Sequence, residues 1–508
     1  MPNHGQAVSG IADYRDVVRG AAASLFGFGG RLAARVAFMV VAAQSFGPKA
    51  LGILGLVAAI TEITAAIGVM GLKRSLLDML SERHEAGLEP APRIKEAFII
   101  ALGAGFAIST LLLFVWPLVL PGQPAIWALL FFAMPASIFI DVCLTAIKYK
   151  RIVKWDVWSR SIAESWGLFL LALLFLGLGM KETGLVLAYA GSLFVAALVA
   201  AYGLLSTYPA KTLAAARANF SDIPKIVRQS VPVGITDMGI MALRRIDLIV
   251  LSIFVGPTAT GLYFMVQQLV TIQQRLAGLF EPMLSPVIAR LHNQLNAKRI
   301  RANMIGICRW IFIIQLVIAV PMVVFGDYLL GLFNAAFITG GLVLTIILVA
   351  EVIDGTFIST ETPLVFAKPK IPPTLLVFTL IIEIALIALL SYLYGVEGAA
   401  VGFLIAVCFL NLGRLWSLSK HLKINVINMS YILPTVFALL MLASLLAIRH
   451  FVSPEQGWLI IAGVVVNLTV FALMIKVFAL TKSDKILFRV LGQGRSRRTS
   501  RVPVKIES

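Results

Sequence analysis

Arg35 and Arg244 each stand near the middle of an apolar stretch, Ala21–Ser45 and Val233–Val255. A guanidinium is planar, permanently charged and able to make paired hydrogen bonds to phosphate or carboxylate oxygens. At mid-bilayer depth it costs roughly 2.5–3.5 kcal/mol on insertion scales, so it faces a polar cavity or a partner. The two arginines are also in register. An offset of 209 residues pairs them and aligns Ala33 with Ala242, Val41 with Val250, Gly47 with Gly256, Pro48 with Pro257, Ala50 with Ala259, Gly52 with Gly261 and Val57 with Val266. The chemistry these positions offer is anion capture, and the chain offers it twice.

Other polar residues fall inside apolar segments. Arg31 shares a helix face with Arg35, and Gly27, Gly29 and Gly30 leave room beside them. Arg244 shares a face with Asp237 and Asp247, either of which would neutralise it; Arg245 points about 100° away. Gln267 with Gln274, and Gln268 with Arg275, repeat at seven residues. That stripe either lines a cavity and meets sugar hydroxyls or makes interhelical hydrogen bonds. The acids are Glu62, Glu164, Glu351, Asp354, Glu361 and Glu383. A buried carboxylate can take up a proton or pair with an arginine. Glu351 and Asp354 share a face and are the first ion-coupling candidates, followed by Glu62 and Glu383.

The elements that position these residues are membrane helices. The chain of 508 residues is 59% hydrophobic and 13% charged, with a mean hydropathy of +0.94. About fourteen segments reach the length of a bilayer span, from 21–45 to 457–479, and none shows the short alternation of barrel strands. Lysine and arginine alternate between sides. One set of loops holds Lys73, Arg74, Arg83, Arg93 and Lys95, then Lys148, Lys150, Arg151 and Lys154, then Lys211, Arg217, Lys225 and Arg228, then Arg290, Lys298, Arg299, Arg301 and Arg309. The other set holds only Lys49, Lys181 and Arg449. This pattern places both termini in the cytoplasm. The net charge of +18 then belongs to the cytoplasmic rim and to the basic tail 481–508, facing anionic lipid rather than nucleic acid.

No chemistry of bond making is evident. Five histidines are scattered, there is no P-loop, and Cys143, Cys308 and Cys408 lack metal or disulfide spacing. The expectation is a protein that is not an enzyme and needs no cofactor or metal. No cleavable signal or lipidation box is visible at the start of the chain.

The repeat divides the chain into a six-helix lobe (1–208), a cytoplasmic linker (209–229), a second six-helix lobe (230–424), an additional helix pair (425–480) and the tail. Six is an even number, so the lobes are parallel repeats about an axis along the membrane normal, with the transport path between them. Gly47-Pro48-x-x-x-Gly52 and its copy Gly256-Pro257-x-x-x-Gly261 read as turns with close helix packing.

The stretch Arg244–Tyr263, with its paired arginines, Asp247 and the Gly256-Pro257 turn, resembles the start of the second half of bacterial polysaccharide flippases. These are the lipid-linked oligosaccharide exporters of the multidrug/oligosaccharidyl-lipid/polysaccharide superfamily. Ser45–Gly52 looks like the matching family turn, and Leu279–Pro286 is similar to the family segment after the eighth helix. The resemblance implies an all-α integral membrane protein with about fourteen transmembrane helices, in two pseudo-symmetric six-helix lobes (MATE-like) plus a C-terminal helix pair. It implies a flippase that carries polyprenyl-pyrophosphate-linked oligosaccharide across the bacterial inner membrane for O-antigen, capsule or exopolysaccharide synthesis, through a cationic cavity. Arg35, Arg244, Arg31, Gln267, Gln274 and Arg275 are then the substrate-binding candidates. Membrane lipids and the polysaccharide polymerase and chain-length machinery are the expected partners. The alternatives are a peptidoglycan lipid-precursor flippase and a drug/cation antiporter of the same superfamily.

Overall fold

The computed structural model describes residues 29–119, 131–278, 284, 288, 290, 297–452 and 456–480. They are helical almost throughout, and no strand occurs among them. Nine helices among the described residues are long and apolar enough to cross a membrane. A helix satisfies its own backbone polar groups, as hydrocarbon surroundings require.

The chain opens with α1 (29–45), α2 (Gly47–Val69), α3 (Leu72–Glu85), α4 (Ala91–Val119) and α5 (Ala133–Tyr149). It continues with α6 (Lys154–Gly177) and α7 (Glu182–Thr207). Then come α8 (Ile223–Leu243), α9 (Ile246–Phe254), α10 (Pro257–Gly278), α11 (Ala297–Val324), α12 (Gly326–Phe333), α13 (Gly341–Phe357), α14 (Ile371–Leu422), α15 (Ile432–Phe451) and α16 (Gly457–Met474). They gather into two compact units. The first holds the chain up to Leu269 together with Leu330–Val343 and Pro373–Ala406; the second holds Val270–Leu329, Leu344–Pro372 and the chain from Val407.

In the first unit, α2 is the central helix. Its Ile53, Leu56, Val57 and Ile60 pack with Phe131, Ala133, Val186 and Leu193. Two backbone approaches mark its ends. Near its start, a Cβ built on Gly52 would overlap the Pro257 carbonyl, and one built on Gly261 would overlap the Pro48 carbonyl. The two copies of the repeated turn therefore touch each other reciprocally, as a pseudo-two-fold contact. Gly47 (φ +80°) and Gly256 (φ +102°) supply the left-handed residue that each turn needs, and each proline then opens its helix. Beyond the far end of α2, Gly71 (φ +78°) lies against the backbone of Ser230 and Gly234, and the hydroxyls of Ser75 and Ser230 are 2.7 Å apart.

In the second unit, Ile313, Val320 and Phe325 pack with Phe437, Met441, Leu445, Phe471 and Ile475. The last two helices are thus seated on α11. Their other faces show Leu439, Leu440, Trp458, Ile461 and Val465, an apolar surface suited to lipid.

Several sequence expectations change. The segment 230–255 is not one helix. It breaks at Arg244–Arg245, where Arg244 and Arg245 N–H groups donate three residues back, to Met241 and Ala242, tightening the last turn of α8. The segments 372–394 and 398–418 stay two helices: they are the halves of α14, divided where the chain reverses at Gly395 (φ +64°, ψ −137°). Arg309 is not a loop charge: it is buried in α11, with its guanidinium donating to the Ala479 carbonyl at 3.0 Å. Gly27, most of Leu279–Pro286 and the tail 481–508 lie outside the described residues.

Candidate functional site

Polar side chains from five elements gather inside the first unit. On α1, the Arg35 Nε donates to the Gln268 side-chain oxygen of α10 at 2.7 Å. Gln267, next along α10, donates to Asp247 of α9 at 2.5 Å. Asp247 also takes the Leu248 N–H at 2.8 Å and is buried. Arg245 donates to Glu62 of α2 at 2.6 Å. Arg244 and Asp247 both act electrostatically on Glu383 of α14. The break between α8 and α9 is what presents Arg244 and Arg245 here, because a helix end frees both side chains from one continuous face.

The repeat explains the depth. Arg35 precedes Gly47, and Arg244 precedes Gly256, by the same twelve residues. Both arginines are half-buried. Of the two acids that could neutralise Arg244, Asp237 pairs with Arg74 at 3.0 Å, and Asp247, across the break, accepts from Gln267. Arg31 is half-buried on α1, and among the described residues nothing lies within 4 Å of a Cβ built on its neighbours Gly29 and Gly30.

The glutamine stripe is divided. Gln267 and Gln268 act in the first unit, each bonded to a charged neighbour, while Gln274 in the second donates to Glu351 at 2.6 Å. Arg275 is exposed. Asp354 accepts from Arg414 at 3.0 Å and from Asn411 at 3.1 Å, and Arg414 also reaches Glu361 at 2.5 Å. Two of the acids considered for ion coupling, Asp354 and Glu62, are thus ion-paired to arginines. A third group joins Lys73 and Arg160 to Asp141, with Arg160 also 3.0 Å from Glu164.

Sequence reading passed over Arg414 and Arg160. The signal that picked out Arg35, a single charge inside an apolar run, applied equally to Arg414 in 398–418. Thr379, buried one turn before Glu383, carries no such signal. Among the described residues no cluster of three His, Cys, Asp or Glu side chains forms a metal cage.

Helices of this kind, with a doubled turn motif and deep arginines, define a multi-pass helical membrane fold. The family model described as polysaccharide biosynthesis protein matches residues 19–292, over half of the sequence, and the chain belongs to that family. No curated protein matches it. Among solved structures, the lipid II flippase MurJ in an inward closed conformation superposes with a TM-score of 0.71 at 14% identity, covering 90% of this chain and 98% of that one. A multidrug-resistance MATE transporter of the MOP superfamily, inward-facing, gives 0.65 at 15% identity, over 77% of this chain and 95% of that one. A MOP transporter from Pyrococcus furiosus, described as having a binding pocket of reversed polarity, gives 0.54 at 16% identity, over 80% and 96%. These likenesses establish the fold.

Proposed function

We propose that this protein is a flippase for polyprenyl-pyrophosphate-linked oligosaccharide, working by alternating access in the bacterial inner membrane with both termini in the cytoplasm. The observation that carries the reading is the recurrence of one deep arginine, Arg35 and Arg244, at matching places in a repeat whose two turns touch. Guanidiniums at this depth suit a pyrophosphate, whose oxygens accept paired hydrogen bonds. Gln268 accepts a hydrogen bond from Arg35 and helps to orient its guanidinium. Family membership in polysaccharide biosynthesis supports a sugar-bearing lipid as the cargo. The lipid tail stays in the bilayer while the head group crosses among the polar side chains.

A deletion strain tests this. Cells lacking the protein should lose surface polysaccharide and accumulate polyprenyl-pyrophosphate oligosaccharide facing the cytoplasm, and wild type but not Arg35→Ala should restore export. Lysis with blocked peptidoglycan synthesis would point instead to the peptidoglycan precursor. Normal polysaccharide with no accumulated intermediate would overturn the reading and favour an antiporter.

A further inference from the structure

Glu383 lies twelve residues into α14, about 18 Å along its axis. That is near the midplane of a hydrocarbon core about 30 Å thick. It is fully buried, and among the described residues neither carboxylate oxygen has a hydrogen-bond partner. Thr379, one turn earlier on the same face, is also fully buried with an unpartnered hydroxyl. Native interiors rarely leave such groups unmatched. An ionised carboxylate in this setting is expensive, and a proton removes most of that cost.

Two charges act on Glu383 from neighbouring elements. Arg244, in the turn between α8 and α9, attracts its anion, and Asp247 on α9 repels it. α8 packs on α14 through Gly239 and Leu376, and the acid nearest that contact along α8, Asp237, is tied to Arg74. The returning half of α14 that meets Ile387 at Gly402 has no titratable side chain over 398–406.

We propose that Glu383 is a proton-binding site, and that its proton is linked to anionic head-group binding at Arg244. The linkage rests on the head-group reading above. Taking up the proton removes one negative charge beside Arg244. A pyrophosphate then binds more tightly, and thermodynamic reciprocity requires its binding to draw the proton in. Affinity should be about tenfold higher in acidic than in alkaline buffer.

The test uses the full chain in phosphatidylcholine nanodiscs. Infrared difference spectra between acidic and alkaline buffer read the carboxylic-acid C=O stretch without any ligand. Titration calorimetry with geranylgeranyl pyrophosphate, in buffers of different ionisation enthalpy, counts the protons taken up on binding. Glu383→Gln should lose one C=O component, bind with affinity independent of pH and take up no proton; Glu383→Asp should keep a shifted component. An unchanged C=O band in Glu383→Gln overturns the proton site, and undiminished proton uptake overturns the linkage. Loss of the band in Glu383→Gln with no pyrophosphate binding by wild type leaves the proton site standing and removes the head-group reading.

Discussion

Arg35 and Arg245 are both deep arginines, but they are held differently. Gln268 accepts from Arg35 with a neutral amide oxygen. Arg245 is closed on the Glu62 carboxylate, so an anionic ligand would first have to displace a partner of its own sign. Truncating one side of a desolvated charge contact typically costs 2–5 kcal/mol. Arg35→Ala should therefore weaken pyrophosphate binding at least about thirtyfold, read by calorimetry in nanodiscs, with folding unchanged by circular dichroism. Glu62 and Arg245 should instead show their coupling in stability. In thermal melts, Glu62→Gln and Arg245→Gln should each destabilise, and the double variant should lose less than their sum, with a coupling of about 0.5–3 kcal/mol; strict additivity would remove the pair from the account. Arg414 is more buried and serves two carboxylates. Arg414→Met strands both and should cost about 3–5 kcal/mol, a loss that a matched melt of the variant will measure.

At the scale of elements, the decisive feature is the reciprocal contact of α2 and α10. Each glycine receives the other helix's proline carbonyl, and no side chain fits between. Gly52→Leu or Gly261→Leu should destabilise by about 1–3 kcal/mol or force the crossing open, measured by melting temperature and by the accessibility of a cysteine placed beside it. A variant as stable and as closed as wild type would contradict the packing. Much of this was legible in the sequence, because a Gly-Pro pair and a glycine one turn on carry a fixed backbone meaning. The break at Arg244–Arg245 was not. Neither Gly nor Pro marks it, and the Glu62 that Arg245 meets there lies 183 residues away in another helix. Partners are hidden in the same way: Asp237 and Arg244 have the right spacing for one helix face, yet Arg74 from α3 takes the carboxylate. Spacing along one helix cannot report a neighbour contributed by another.

At the scale of the whole molecule, composition alone required a multi-pass helical protein, and the described helices with the family match bear that out. The comparisons establish the fold and the polysaccharide biosynthesis family, while the proposed cargo rests on the chemistry of the deep cluster. That assignment is the central claim, and a reconstituted translocation assay tests it most directly. The purified protein is placed in liposomes carrying a fluorescent polyprenyl-pyrophosphate oligosaccharide, and an impermeant quencher follows its passage between leaflets. Wild type should move the lipid well above the rate of empty liposomes, with Arg35→Ala and Arg244→Ala falling to that background. Movement by both alanine variants at the wild-type rate, or none by wild type, would contradict the account.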